Sequence, residues 1–126
     1  MNAIHTGSDL KALAIQYIEA VGQKRLDTLP SFLHAEMDFS GNIAASHGAD
    51  AWAAALRRLS PILVRNDIKR VFVDGNEVCV IYDFVTTVCP VPSVEWLVFD
   101  GNKIKSIYLL FDRSRWPEVM QALQNI

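Results

Sequence analysis

An α+β fold, helices first and an antiparallel sheet after them, is predicted by three features of the chain. Residues 8–22 and 50–59 carry apolar side chains at three- and four-residue spacing, the period of a helix face. From about residue 66 the composition turns β-branched and aromatic, in VFVDGNEVCVIYDFVTTV and VEWLVFDGNKIKSIYLLF. Each of these runs is interrupted by Asp-Gly-Asn, at 74–76 and 100–102, and Asp-Gly between apolar strands is a strong hairpin signal.

The elements follow in order. Ser8 and Asp9 suit a helix start, after which Leu10, Leu13, Ala14, Tyr17, Ile18 and Val21 make one apolar face ending near Gly22. Thr28 can cap a second, short helix that tolerates Pro30 in its first turn and is anchored by Phe32 and Leu33. Met37–Ser40 reads as a short strand closed by a turn at Gly41-Asn42. In the helix from Asp50, Ala51, Ala54, Ala55 and Leu59 form a stripe with Arg57-Arg58 opposite it, and Pro61 ends the helix. Pro90 and Pro92 separate the second long strand from the third, Val94–Phe99. Ser114 caps a last helix from Pro117 through Val119, Met120 and Leu123. With 126 residues and no linker or low-complexity segment, residues 1–126 are expected to be one domain.

Composition narrows the function classes. A hydrophobic content of 51% exceeds what a small solvated monomer needs, so apolar surface should line a cavity or a subunit contact. The net charge of −2, with basic pairs scattered at Arg57-Arg58, Lys69-Arg70 and Arg113/Arg115, predicts binding neither to nucleic acid nor to a membrane surface. Cys79 and Cys89, joined by an extended run, would lie about 30 Å apart, too far to bridge, and read as free thiols in a reducing compartment. In residues 1–22 Asp9, Lys11 and Glu19 break the apolar character, so neither a signal peptide nor a membrane span is expected and the protein is placed in the cytoplasm. No His, Cys, Asp and Glu group has metal-ligand spacing, and neither a phosphate loop nor a G-x-S-x-G elbow occurs, so no cofactor and no metal are expected.

The acids among apolar residues carry the functional question. In Val94–Phe99 the alternation sets Glu95, Leu97 and Phe99 on one face and Val94, Trp96 and Val98 on the other. Neither face looks solvated. One must meet the helices, and the other, with Trp96, Tyr108 and Leu110, calls for a second copy of the chain, hence a homodimer. Glu95 is either solvated at an edge or held neutral in an apolar pocket, where a neutral carboxyl can donate a hydrogen bond to an oxyanion. Asp83, alone in VCVIYDFV, must be paired, exposed or functional. Tyr17 is either a core tyrosine or a pocket donor. Trp52 and Trp116 read as packing at a pocket mouth, Asp112 as a cap or turn residue, His34 as a helix end and His47 as loop.

Helices feeding a sheet that ends in FDGNKI, with Phe111-Asp112 seven residues on, resemble the nuclear transport factor 2-like superfamily. Its cone-shaped α+β roll includes ketosteroid isomerases, SnoaL-type polyketide cyclases, limonene-epoxide hydrolases and scytalone dehydratase. The resemblance implies a pocket inside the cone, lined by Trp52, Leu97, Leu109 and Phe111 besides Tyr17. QYIEAVGQKRLDTLPSFLH is similar to the ketosteroid isomerase opening, which places Tyr17 as an oxyanion-hole tyrosine and Glu95 at that family's protonated aspartate. The position of the isomerase base falls on Gly41, and Asp38, three residues earlier, belongs to the opposite face. Of the epoxide hydrolase Asp-Arg-Asp set only Asp83 has a counterpart, since Ile81 and Leu109 stand at the other two places. That register points Asp83 into the pocket, whereas counting back from Glu95 points Tyr82 and Phe84 there. The expectation is a homodimeric pocket protein for a small, mainly apolar oxygenated molecule. As an enzyme it would be a cofactor-free isomerase, cyclase or dehydratase working through an enolate, with Tyr17 and Glu95 as donors and Asp83 as the remaining base. The rival expectation is a non-catalytic ligand-binding or dimerisation module of the same fold.

Overall fold

A computed structural model describes residues 7–126. Helices α1 (Gly7–Gly22), α2 (Ala49–Leu59) and α3 (Trp116–Gln124) accompany six strands: β1 (Leu33–Gly41), β2 (Ala45–His47), β3 (Leu63–Asp74), β4 (Glu77–Thr86), β5 (Pro90–Asp100) and β6 (Lys103–Phe111). The strands form one sheet in the order β2-β1-β6-β5-β4-β3, antiparallel except for the parallel β1–β6 pair. Register shifts in β1, β3 and the β5–β6 pair bend the sheet, because an extra residue on one strand increases its local twist. The result is a curved, unclosed sheet with α1 laid across β3 and β4 and α2 across β1 and β2.

Both Asp-Gly-Asn segments make the expected hairpins. Asp74 pairs with Glu77 and Asp100 with Lys103, leaving Gly-Asn as each two-residue loop. Gly75 and Gly101 each have φ of 60°, the left-handed value a tight hairpin asks of its first loop residue and glycine adopts without strain. The face of α1 is as its periodicity predicts, with Leu10, Ala14, Tyr17, Ile18 and Val21 buried. In the same core Val78, Val80, Leu97, Ile104 and Ile107 are fully buried, each such side chain worth about 1.5–3 kcal/mol of burial.

Several boundaries differ from the expectations. The second helix is a 3-10 turn, Leu26–Ser31, and the strand after it begins at Leu33 rather than Met37, so that His34 lies in a strand. His47 likewise belongs to β2, a three-residue strand too short to leave a periodic signal. Pro90 and Pro92 lie inside β5 instead of before it. They are tolerated because β6 ends opposite Ser93, and beyond that point the Pro92 carbonyl receives only the N–H of Asp112. At α3 the flanking residue is Arg115, without a side-chain cap, while Asp112 Oδ1 accepts the Ser114 N–H at 2.9 Å, the turn role expected of it. The cap expected of Ser8 and the reading of residues 1–6 lie outside the described residues and side chains. No helix among the described residues is long and apolar enough to cross a membrane.

Candidate functional site

A cavity of about 400 Å³ lies between α1, α2 and the concave face of the sheet. Its buried end is built by three strictly local rules. On β5 the two-residue alternation turns Ser93 and Glu95 inward; on β4 it turns Tyr82 and Phe84 inward; on α1 the helical period does the same for Tyr17. Tyr82 stands opposite Ser93, which makes Glu95 its diagonal neighbour, and the Tyr82 hydroxyl donates a hydrogen bond to Glu95 Oε2. From the opposite wall, Trp52 Nε1 donates to the Tyr17 hydroxyl at 2.8 Å while its ring stacks on Phe39 at 3.9 Å. Leu109, Phe111 and Trp116 continue the wall outward, the last two in edge-to-face contact at 4.7 Å.

Glu95 is 4% exposed, and burial raises its pKa from 4.5 to about 7, because the charged form has lost its water. Hydrogen bonds from Tyr82 and Tyr17 pull the other way without cancelling it. Tyr17 faces the carboxyl closely enough to act on its charge, but no well-formed hydrogen bond reaches Oε1, which is buried without a partner. Both phenols are pushed well above their ordinary value of 10, first by burial and then by the Glu95 charge, so they act as neutral donors. With Tyr82 committed to Oε2, the proton of a neutral Glu95 sits on Oε1. Two O–H donors, from Tyr17 and Glu95, are then available to a single oxygen, the arrangement that stabilises an oxyanion.

The predicted residues fare differently. Tyr17, Trp52, Glu95, Leu109 and Phe111 all line the cavity. Trp52 is buried in its wall rather than closing its mouth. Leu97 faces the same way as Glu95 but is sealed in the core beyond the cavity end. Asp83 is corrected: it lies on the other face of β4, half-buried, with Oδ2 3.6 Å from Lys69 Nζ, because the inward positions of that strand belong to Tyr82 and Phe84. Asp38 is on the outer face of β1, where His47 Nδ1 lies 2.7 Å from Oδ1 and His47 Nε2 lies 2.8 Å from Glu36. Gly41 has no room for a side chain, since a Cβ there would stand 2.5 Å from the Leu109 carbonyl oxygen.

The sequence reading missed the partnership of Tyr82 with Glu95, although counting by twos across the hairpin reaches it. It also set Arg58 opposite the alanine stripe of α2, whereas Arg58 lines the cavity with Ala51, Ala54 and Ala55. No group of acids, histidines and cysteines among the described residues could hold a metal ion.

The comparisons agree with this architecture. Residues 14–107 match the family model described as a SnoaL-like domain. A crystal structure of a Kribbella flavida protein superposes with a TM-score of 0.80 at 24% identity, covering 92% of this chain and 97% of that one. A steroid delta-isomerase from Pseudomonas aeruginosa gives 0.75 at 14% identity over 99% and 93% of the two chains. A putative SnoaL-like polyketide cyclase from Shewanella denitrificans gives 0.74 at 20% identity over 90% and 97%. At these identities the likeness establishes the nuclear transport factor 2-like fold and nothing about activity. No curated protein matches the chain in sequence.

Proposed function

This chain belongs to the SnoaL-like domain family, and from that premise we propose that its cavity binds a small, mainly apolar molecule through one oxygen, and isomerises, cyclises or dehydrates it without a cofactor. The supporting observation is the Tyr82–Glu95–Tyr17 group: a carboxyl whose pKa burial raises to about 7, flanked by two phenols, at the buried end of a mainly apolar cavity. Glu95 and Tyr17 hold the oxygen of an enolate-like intermediate. Glu95 is also the one carboxyl among the lining residues, so its ionised form, present as pH approaches its pKa of about 7, is the base that takes the substrate proton and, once protonated, the donor that returns it, now that Asp83 faces outward.

Isothermal titration with 2-naphthol, an enolate mimic, tests the reading at pH 6. Binding by the wild type that weakens about tenfold or more in both Tyr17→Phe and Glu95→Gln supports it. Absence of binding, or binding indifferent to both changes, overturns it. A second reading, a ligand-binding module without turnover, is favoured by Gly41, where a Cβ would strike Leu109 and no base can stand. Naphthol binding with no conversion of a Δ5-3-ketosteroid or other enolisable ketone selects it. The reading includes a homodimer through the outer face of the sheet, supported by exposed Trp96, Tyr108 and Leu110, and a cytoplasmic location, supported by the free thiols of Cys79 and Cys89.

A further inference from the structure

We propose that Arg58 makes the outer end of the cavity a subsite for a carboxylate, so that the ligand is an amphiphilic acid: an apolar body with one hydroxyl or carbonyl oxygen at Glu95 and an anionic group at Arg58. The inference rests on the preceding reading that the cavity holds an apolar oxygenated molecule.

The argument begins with α2. Ala51, Ala54, Ala55 and Arg58 all line the cavity, and their spacing of three, four and seven residues is one face of a helix. Three alanines leave the width that an apolar ligand body needs. The fourth position of the same face then carries a guanidinium. Arg57, one residue earlier and about 100° round the helix, does not line the cavity, although it serves the C-terminal end of α2 equally well. The helix end therefore explains two arginines but not the direction of the second.

Charge along the cavity is equally uneven. Among its lining residues only Glu95 carries a carboxyl and only Arg58 a cationic group, the first buried and the second exposed to solvent. Arg65, Arg113 and Arg115 each hold a partner, in Asp67, the Asn42 carbonyl and Glu118. Arg58, like Arg25 and Arg57, has no side-chain ion pair or hydrogen bond among the described residues, and of these three it alone lines the cavity. A guanidinium presents paired N–H groups that fit a carboxylate, and at a water boundary that carboxylate need not lose its whole hydration shell. The rest of the lining is mainly apolar, with Phe39, Trp52, Phe84, Leu109 and the Phe111–Trp116 pair offering surface to an aromatic or alicyclic body and Ser46, Asn66 and Ser93 as the polar side chains among them.

Three probes of nearly equal body test this by calorimetric titration at pH 6 and low salt: 2-naphthol, 6-hydroxy-2-naphthoate and the methyl ester of the latter. The wild type is expected to bind the hydroxynaphthoate about tenfold more tightly than naphthol or the ester, with the preference shrinking as salt is added. In Arg58→Gln the ratio of acid to ester should fall to near one, and Arg58→Lys should restore part of it. Thermal melts confirm that each variant is folded, and the ester comparison on the wild type needs no variant at all. An acid that binds no better than its ester, or a preference that survives in Arg58→Gln, overturns the anionic subsite while leaving the oxygen site in place. Failure of all three probes to bind removes both.

Discussion

Trp52 and Tyr17 are joined by an indole N–H that donates to a buried phenol at 2.8 Å. Because the phenol oxygen is the acceptor in that bond, its own proton is turned toward Glu95 and toward any oxygen bound beside it. Tyr17→Phe would leave the Trp52 N–H buried with no acceptor, and the expected loss is about 1–3 kcal/mol of stability. Trp52→Phe keeps a ring against Phe39 and strands no donor, so after allowing for the smaller ring its effect on ligand binding should be the milder of the two. Urea unfolding of both variants checks the first statement; a Tyr17→Phe variant as stable as wild type would show that the N–H finds another acceptor.

Glu95 should make stability fall as pH rises. In the folded chain its pKa is raised from 4.5 to about 7, so between those values the folded state holds a proton that the unfolded state has lost. Stability from the neutral carboxyl is complete below 4.5 and is lost progressively as pH climbs through 7, by roughly 3 kcal/mol in all. Glu95→Gln cannot ionise and should flatten this part of the profile. Denaturant midpoints measured between pH 5 and 8 give the comparison, and equal slopes for the two proteins would contradict it.

Gly41→Ala should be destabilising despite its single methyl group. The new Cβ would stand 2.5 Å from the Leu109 carbonyl oxygen, and backbone, unlike a side-chain tip, cannot swing away. Gly41 pairs with Leu109 in the parallel β1–β6 ladder, so relief means parting those strands, at about 1–3 kcal/mol. Gly41→Asp, the change that would restore an isomerase-like base, should be worse still and gain no activity. Thermal melts and a ketosteroid assay decide this; a stable, active Gly41→Asp would mean that β1 shifts freely.

The exposed side of the sheet supplies a fourth expectation. Trp96 is 48% exposed and meets Tyr108 edge-on at 6.3 Å, with Leu110 and Phe72 beside them. Such a patch on a twisted sheet face suits an isologous contact with a second copy. Trp96→Glu, which would also repel Glu77, now the indole's hydrogen-bond partner at 2.7 Å, should shift the protein toward monomer. Sedimentation at micromolar concentration reads the outcome, and a wild type already at 14.1 kDa would refute the dimer.

What was legible in the chain was whatever rests on short-range order. The α1 face, the Gly75 and Gly101 hairpins and the inward turn of Glu95 follow from spacings of four residues or fewer, and each is in place. The face of Asp83 stayed open between two registers because it depends on the pairing of β4 with β5, and a shift of one residue reverses every side chain on a strand. Reading Tyr82 against Ser93 would have settled it. Arg58 was obscured by Arg57: two adjacent arginines look like one solvated pair, although they point about 100° apart. The stacking of Phe39 on Trp52 joins β1 to α2 and leaves no mark on the sequence of either.

The parallel pairing of β1 with β6 also bears on the order in which the molecule assembles. Strands β3 to β6 form a meander of neighbours in the chain, and contacts of that kind close early because little chain entropy opposes them. β1 has no such neighbour on its inner side; Phe39 must wait for Ile107. During synthesis, then, β1 and β2 wait for their place in the sheet until β6 has emerged, whereas α1 can already lie on β3 and β4. The same late-docking edge carries residues 43–46, which rim the cavity. Hydrogen exchange should therefore find β2 and its flanks the least protected part of the sheet.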